Sequence, residues 1–231
     1  MSDLSDSTPV TDEQILLAIA KAPASGQTKT RLGASIGLDA AAEFYACLLA
    51  DTLALMRGTS HTRCGIGYTP AGREDFFKDV APDFELVLQQ GANLGERLNH
   101  VINACFSRGY QRVGVLSCDT PLVNPAEIDR GFDLVAGGID VALGACDDGG
   151  YYLLILKEPH PELFLPIEMS TPRVVADTLA AIAKANLSVV ELAMTQDIDV
   201  ADDLVRLKQE LHGLPGHVAQ QTRKWLKQNH Q

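Results

Sequence analysis

Three bases, Lys21, Lys29 and Arg31, fall between Lys21 and Leu32 together with Pro23, Gly26, Thr28 and Thr30 and no acid, in a chain whose formal charge is -11. Positive charge concentrated in this way points to an anion site. Backbone N–H groups of a Pro/Gly loop turn toward a polyanion, Lys adds a point charge, and Arg offers a two-pronged fork for phosphate oxygens. The apolar run Ile15 to Ala20 just before it reads as a buried strand, and the carboxyl end of a strand is where α/β proteins place ligands. The alternative is a surface loop whose bases only meet solvent. Two better-known phosphate loops are excluded by spacing. A P-loop needs glycines where Pro23 and Thr28 stand, and no Gly-x-Gly-x-x-Gly follows the first strand, which leaves dinucleotide hydride transfer without support.

Carboxylates supply the complementary chemistry. Asp119 follows the strand-like run Arg112 to Ser117, and carboxylate oxygen is the ligand that Mg²⁺ or Mn²⁺ takes; its competing role is to cap the helix expected around Pro125 to Val135. Asp197, Asp199, Asp202 and Asp203 precede a helix, Ala201 to Leu211. The last two suit its dipole-stabilising first turn, which leaves Asp199 as the second metal candidate. Asp148, Gly149 and Gly150 lie between two strand-like runs. They read either as a hairpin turn or as a loop whose glycines let a ligand approach while Asp148 contacts its polar groups. Gly91, Glu96 and Arg97 flank a helix start capped by Asn93, and Ser170 or Thr171 is expected to cap a helix with Pro172 in its first turn.

The elements that must hold these residues alternate as strand and helix. After the first strand, Leu38 to Arg57 carries apolar residues at helical spacing. Arg63 to Tyr68 and Phe84 to Leu88 read as strands around a short helix, Gly72 to Phe77. Asp140 to Ala145, Leu153 to Leu156 and Leu187 to Leu192 complete the strands. The fold class is therefore α/β, a three-layer α/β/α sandwich on a mostly parallel sheet. Residues 1–12 read as a flexible leader, 13–211 as a single domain, and 212–231 as a C-terminal helical extension docking on the domain or on a second subunit, so a homodimer is admissible.

Composition narrows the partners. Thirty acids against nineteen bases repel nucleic acid and anionic membranes, so the expected ligands are a small nucleotide and a small acceptor. No apolar run reaches the roughly 20 residues of a membrane span and the N-terminus is not signal-like, which makes the cytoplasm the expected compartment. Five scattered cysteines without a Cys-x-x-Cys pair read as buried small residues, and six histidines without His-x-x-x-His indicate no histidine-bound metal.

Taken in order, these stretches resemble the nucleotide-diphospho-sugar transferase superfamily with its GT-A type fold, and more closely the bacterial arsenosugar-biosynthesis-type glycosyltransferases. The resemblance spans about Ile15 to Leu207. It rests on Lys21-Ala-Pro with Gly26 and Lys29-Thr-Arg-Leu32, on Gly91 with Leu94-Gly-Glu-Arg-Leu98, on Asp119 with Pro121, on Asp148-Gly-Gly-Tyr-Tyr152, on Ser170-Thr171, and on Asp197-Ile-Asp199 with Asp202-Asp203-Leu204. Thr120, Met169 and Asp147 depart from the residues usual at those places. The resemblance implies a nucleotide held by Lys21, Pro23, Gly26, Lys29, Thr30, Arg31, Gly91 and Arg97, and a metal at Asp119 and Asp199. It also implies an acceptor bound by Asp148, Gly149, Gly150, Ser170 and Thr171. Lys29, Arg31, Asp119 and Asp148 would then carry catalysis. The loop chemistry favours a nucleotidyltransferase with a phosphate or phosphonate acceptor; glycosyl transfer from a sugar nucleotide, with Asp148 as base, is the alternative, and a non-catalytic nucleotide-binding scaffold the third reading.

Overall fold

The computed structural model describes residues 13–60 and 62–229; the leader expected over residues 1–12 lies outside them. Apolar runs of β-branched residues, Leu and Ala form a seven-stranded sheet from β1 (Gln14–Lys21), β2 (Arg63–Thr69), β3 (Glu85–Leu88), β4 (Arg112–Ser117), β5 (Val141–Ala145), β6 (Tyr151–Leu156) and β7 (Val189–Glu191), in the order β3-β2-β1-β4-β6-β5-β7. Neighbours are parallel except where β6 runs antiparallel to both β4 and β5. The chain leaves β1 toward β2 on one side and returns to β4 on the other. The β1–β4 crevice is therefore a topological switch point, where open α/β sheets bind ligands. Parallel register, with Ile19 opposite Ser117, brings the basic loop after β1 beside Asp119 after β4.

Helices α1 (Thr30–Ile36), α2 (Leu38–Met56), α3 (Glu74–Val80), α4 (Leu94–Ser107), α5 (Pro125–Ala136), α6 (Val174–Lys184), α7 (Ala201–His212) and α8 (Gln220–Asn229) cover the sheet. One core layer joins Tyr45, Leu49 and Met56 of α2, Phe77 of α3 and Phe132 of α5 to the sheet; the opposite layer uses Leu98 and Val101 of α4 and Ile182 of α6. The three-layer α/β/α sandwich is as the periodicity predicts. The helix expected over Gly72 to Phe77 starts two residues later, because Gly72 sits at φ 81 in a turn before it. The helix after Pro172 begins at Val174 without a side-chain cap. Ser170 adopts φ 66, and the Thr171 hydroxyl donates backwards to the Glu168 carbonyl at 3.1 Å.

A third cluster fastens α1, α7 and α8 to α2. Trp225 is buried against Phe44 of its own chain, with ring centroids 4.9 Å apart. The C-terminal helix thus docks on the domain, and its Trp is not offered to a second subunit. Asp51 of α2, itself buried, accepts the first free N–H groups of α8 from Gln221 at 2.9 Å and Thr222 at 2.8 Å. No helix among the described residues is long and apolar enough to cross a membrane.

Asp51→Ala removes both acceptors from the start of α8 and is expected to lower the unfolding free energy by about 1–2 kcal/mol in urea titration. Asp140 gives a pH prediction. Hydrogen bonds from Lys157 and Ser188 hold its carboxyl well below the ordinary value of 3.8. A depressed carboxyl stabilises the fold above its unfolded pKa of about 4, and that stability drains away as pH falls further. Asp140→Asn is expected to flatten the acid limb of a stability–pH curve between about pH 5 and 2 while leaving an offset near neutrality.

Candidate active site

Lys29 is the residue on which the site closes. It caps α1 in the left-handed region, at φ 48 and ψ 45, which turns its side chain inward from an otherwise exposed loop. That side chain is only 4% exposed, and its ammonium lies 2.8 Å from Asp119 Oδ1 and 2.7 Å from Asp199 Oδ1. Arg31 also pairs with Asp199, at its Oδ2, but remains 71% exposed. Burial alone would lower the Lys29 pKa; Asp119 and then Asp199 outweigh it and hold the ammonium above its ordinary value. Burial likewise pushes Asp199 up, but Lys29 and Arg31 prevail and keep it ionised below the usual carboxylate range.

The other loop residues divide into holders and facers. Lys21 Nζ donates to the Gln27 carbonyl at 3.0 Å and the Thr28 hydroxyl to the Ala24 carbonyl at 3.2 Å, so both are spent on shaping the loop that contains Pro23 and Gly26, the latter at φ 70. Thr30 and Arg31 are not in the loop but are the exposed first residues of α1. Lys21, Thr28, Lys29, Thr30 and Arg31 line a cavity of about 420 Å³ with Arg97, Asp119, Ser170 and Asp199. Asn93 caps α4 as expected, accepting the Glu96 N–H at 2.9 Å; Glu96 in turn accepts from Ala92 N. Gly91 stands in front of that cap at φ 143, where a Cβ would come within 2.5 Å of Glu96 Cβ, so its role here is to let the chain pass the cap.

Asp119 does not cap the next helix. Asn124 does, accepting Ala126 N–H at 3.0 Å, which leaves the Asp119 carboxylate to the crevice. Its Oδ1 is buried and, despite the nearby ammonium, lacks a well-directed hydrogen bond.

The Asp148 loop is a hairpin turn that also borders a cavity. Cys146 N–H bonds to the Gly150 carbonyl at 2.8 Å, closing a hairpin between β5 and β6, while Asp148 and Gly150 line a second cavity of about 460 Å³. Gly149 sits at φ 91 with its carbonyl accepting Val175 N–H at 2.9 Å, and a Cβ there would meet the Pro172 carbonyl oxygen at 2.0 Å. Ser170, Thr171 and Pro172 border this second cavity as well, and Ser170, Arg31, Asp119 and Asp199 are shared with the first.

Two contributors, Gln89 and Arg206, escape sequence reading, and Asp197 appears there only within an acidic run and a resemblance motif, with no role of its own. Asp197 lies in the second cavity; burial first, then Asp148 and Asp199, push its carboxyl up to about 6. Gln89 lines the first cavity with its amide nitrogen donated to the carbonyls of Ala20 at 3.2 Å and Gly67 at 2.6 Å. Arg206 of α7 joins the two acidic loops, reaching Asp147 at 2.8 Å and Asp203 at 3.1 Å. Asp203 in turn accepts the N–H groups of Asp199 and Val200, each at 2.8 Å. The only sequence signal for the last arrangement is the helical spacing of Asp203 and Arg206. Among the described residues no cluster of three or more His, Cys, Asp or Glu is placed to hold a metal by itself.

Over residues 52–171 the sequence matches the family described as uncharacterized proteins conserved in bacteria, DUF2064. No match was found among curated proteins. One solved structure, a Desulfovibrio desulfuricans G20 protein whose proposed name is nucleotide-diphospho-sugar transferase, is 29% identical, with a TM-score of 0.86 over 94% of this chain and 95% of that one. A cytidylyltransferase from Leptospira borgpetersenii shares the fold at 16% identity and a TM-score of 0.59, covering 94% of each chain. So does a manganese complex of the Mycobacterium tuberculosis protein Rv0371c, at 16% identity and a TM-score of 0.53 over 85% of this chain and 98% of that one. The sheet order and these likenesses establish the GT-A type fold that the motifs suggest.

Two substitutions test the local geometry. Lys29→Met strands two carboxylates that its buried ammonium neutralises and is expected to cost about 2–3 kcal/mol of stability, whereas Arg31→Met, on an exposed pair, should cost less than about 1 kcal/mol. Gly149→Ala requires both a disfavoured φ and displacement of the Pro172 carbonyl. A loss of about 2 kcal/mol or more in thermal or denaturant unfolding is expected.

Proposed function

The chain belongs to the DUF2064 family, and we propose that it is a divalent-metal-dependent transferase that moves a nucleoside monophosphate from a nucleoside triphosphate to a small acceptor. The observation that carries this reading is the shared cavity in which the cationic loop after β1 meets the carboxylates after β4 and before α7. The cytidylyltransferase and sugar-nucleotide names of the structural neighbours support the same substrate class.

The residues fit a divalent ion. Asp119 Oδ1 is buried without a well-directed hydrogen bond, and it and Asp199 Oδ1 both lie within 3 Å of the Lys29 ammonium, which a divalent ion held by the two carboxylates would displace toward the phosphates. Two carboxylates are what Mg²⁺ or Mn²⁺ takes from a protein when phosphate oxygens and water complete its shell. Asp119 and Asp199 would hold the ion, which supplies charge neutralisation to the phosphates. The manganese bound by the Mycobacterium tuberculosis neighbour supports a divalent ion in this fold.

The chain's own groups then act in order. The first cavity aligns the triphosphate along Lys29, Thr30 and Arg31, with Arg97 at its border. An acceptor oxygen from the second cavity attacks the α-phosphorus, the bond to the bridging oxygen breaks, and pyrophosphate departs with that electron pair. Lys29 and Arg31 meet the charge that grows on it. A proton released by an acceptor hydroxyl passes to the Asp148 carboxylate. Holding both reactants across the shared wall of two cavities supplies much of the acceleration.

A second reading, glycosyl transfer, is favoured by one observation: the carboxylates of Asp148 and Asp197 both border the acceptor cavity, where a base for a sugar acceptor would be needed. Calorimetry with Mg²⁺ and a panel of nucleoside triphosphates and sugar nucleotides separates the two. Binding of one triphosphate in preference to its sugar conjugates supports nucleotidyl transfer, and preference for one sugar nucleotide replaces it with glycosyl transfer. Lys29→Ala and Arg31→Ala are each expected to weaken triphosphate binding by about 1.5–3 kcal/mol, and Asp119→Ala to abolish its dependence on Mg²⁺.

A further inference from the structure

The charge of the second cavity identifies the class of acceptor, on the premise that the transferase reading above is right. Its wall carries four carboxylates, those of Asp119, Asp148, Asp197 and Asp199, and one base, Arg31, already paired with Asp199. A divalent ion at Asp119 and Asp199 balances two of the four. Asp148 and Asp197 remain, and both line the second cavity but not the first. One Asp148 oxygen accepts the Gly150 N–H at 2.7 Å, and Asp197 makes neither a hydrogen bond nor an ion pair with any described residue. The Tyr151 hydroxyl, also on this wall, is buried without a partner.

Ionised carboxylates only accept hydrogen bonds, so whatever meets Asp148 and Asp197 must donate them. A phosphate or phosphonate brought against Asp148 and Asp197 offers acceptors to acceptors and adds like charge, an arrangement that costs several kcal/mol where water is excluded. Hydroxyls or an ammonium group meet the same atoms favourably. Ser117, Ser170 and Thr171 add hydroxyls to this wall, and Leu98, Val115, Met169 and Val174 provide an apolar face for a carbon skeleton. A volume of about 460 Å³ is within the range of small-molecule sites.

We propose that the acceptor is an uncharged or cationic hydroxyl compound, a polyol, sugar or amino alcohol, whose hydroxyl or ammonium groups donate to Asp148 and Asp197. This departs from the phosphate or phosphonate acceptor expected from the basic loop alone. The three bases of that loop serve the nucleotide's phosphates, and Arg31 is the only one of them to reach the second cavity.

Saturation-transfer NMR on the full chain, loaded with Mg²⁺ and the nucleotide that binds in the calorimetric panel, tests this with matched probes: glycerol and glycerol 3-phosphate, ribose and ribose 5-phosphate, ethanolamine and phosphoethanolamine. The expected result is transfer to at least one unphosphorylated member, with its phosphate ester binding at least about tenfold more weakly. In Asp148→Asn combined with Asp197→Asn, that preference should shrink or reverse, and unchanged melting temperature would confirm that the variant is folded. The wild-type pairs decide the sign even if the double variant fails to fold. An ester that binds the loaded wild-type protein as well as its parent overturns the proposal, as does silence from every parent compound. Failure of nucleotide binding in the calorimetric panel removes the transferase reading itself. Intact nucleotide binding with a preference for esters removes the acceptor class alone.

Discussion

Everything at the site depends on one buried ammonium. Lys29 Nζ stands within 3 Å of carboxylates drawn from two remote parts of the chain, 90 and 170 residues away. Lys29 is only 4% exposed while Asp119 and Asp199 keep 36% and 25% of their side chains exposed, so the desolvation that these contacts must offset falls mainly on the ammonium. It joins the loop after β1, the turn after β4 and the segment before α7 at one point. The left-handed backbone at Lys29 is part of that arrangement, because it aims the side chain at the crevice and leaves Arg31 at the rim.

The sheet makes this meeting geometrically necessary. Parallel pairing of β1 with β4 places their carboxyl ends side by side, so a basic loop and Asp119 emerge into the same crevice. The antiparallel insertion of β6 between β4 and β5 does something different. It makes the Asp148 turn a hairpin at that same end of the sheet and opens a second cavity beside the first. The segment after β7 follows Cys146 and Asp147, with backbone bonds between Asp147 and Thr195 and between Ile198 and Asp119, and delivers Asp197 and Asp199 across both.

The acidic loops are held by a second charge network at one remove from the crevice. Arg206 ties Asp147 to Asp203, and Asp203 fixes the backbone of Asp199. The Asp148 turn and the Asp199 segment thus share one support in Arg206 and Asp203 of α7. Docking of α7 onto α1 and α2 through Leu204, Leu207 and Leu211 links that support to the helix that Lys29 begins.

Much of this was legible in residue order. Apolar runs separated by helical periods fixed the α/β class and the position of nearly every strand, because burial on both faces of a central sheet leaves a strong local signature. Lys29, Arg31, Asp119 and Asp199 stood out because charge at the carboxyl end of a buried strand is locally conspicuous. The pairing of those charges was not legible, and neither was the spending of Lys21 and Thr28 on the loop itself. Ser170 and Thr171 do not cap the helix, which starts only at Val174, but they border the second cavity, where the resemblance had them. Gln89 carries no local mark, Arg206 only its helical spacing from Asp203, and Asp197 only its place in an acidic run. The sequence by itself determined which charges the chain owns and which strand ends they follow. Only the tertiary structure decided which of them share a wall, because electrostatic neighbours in a folded chain are set by strand order and not by separation along it.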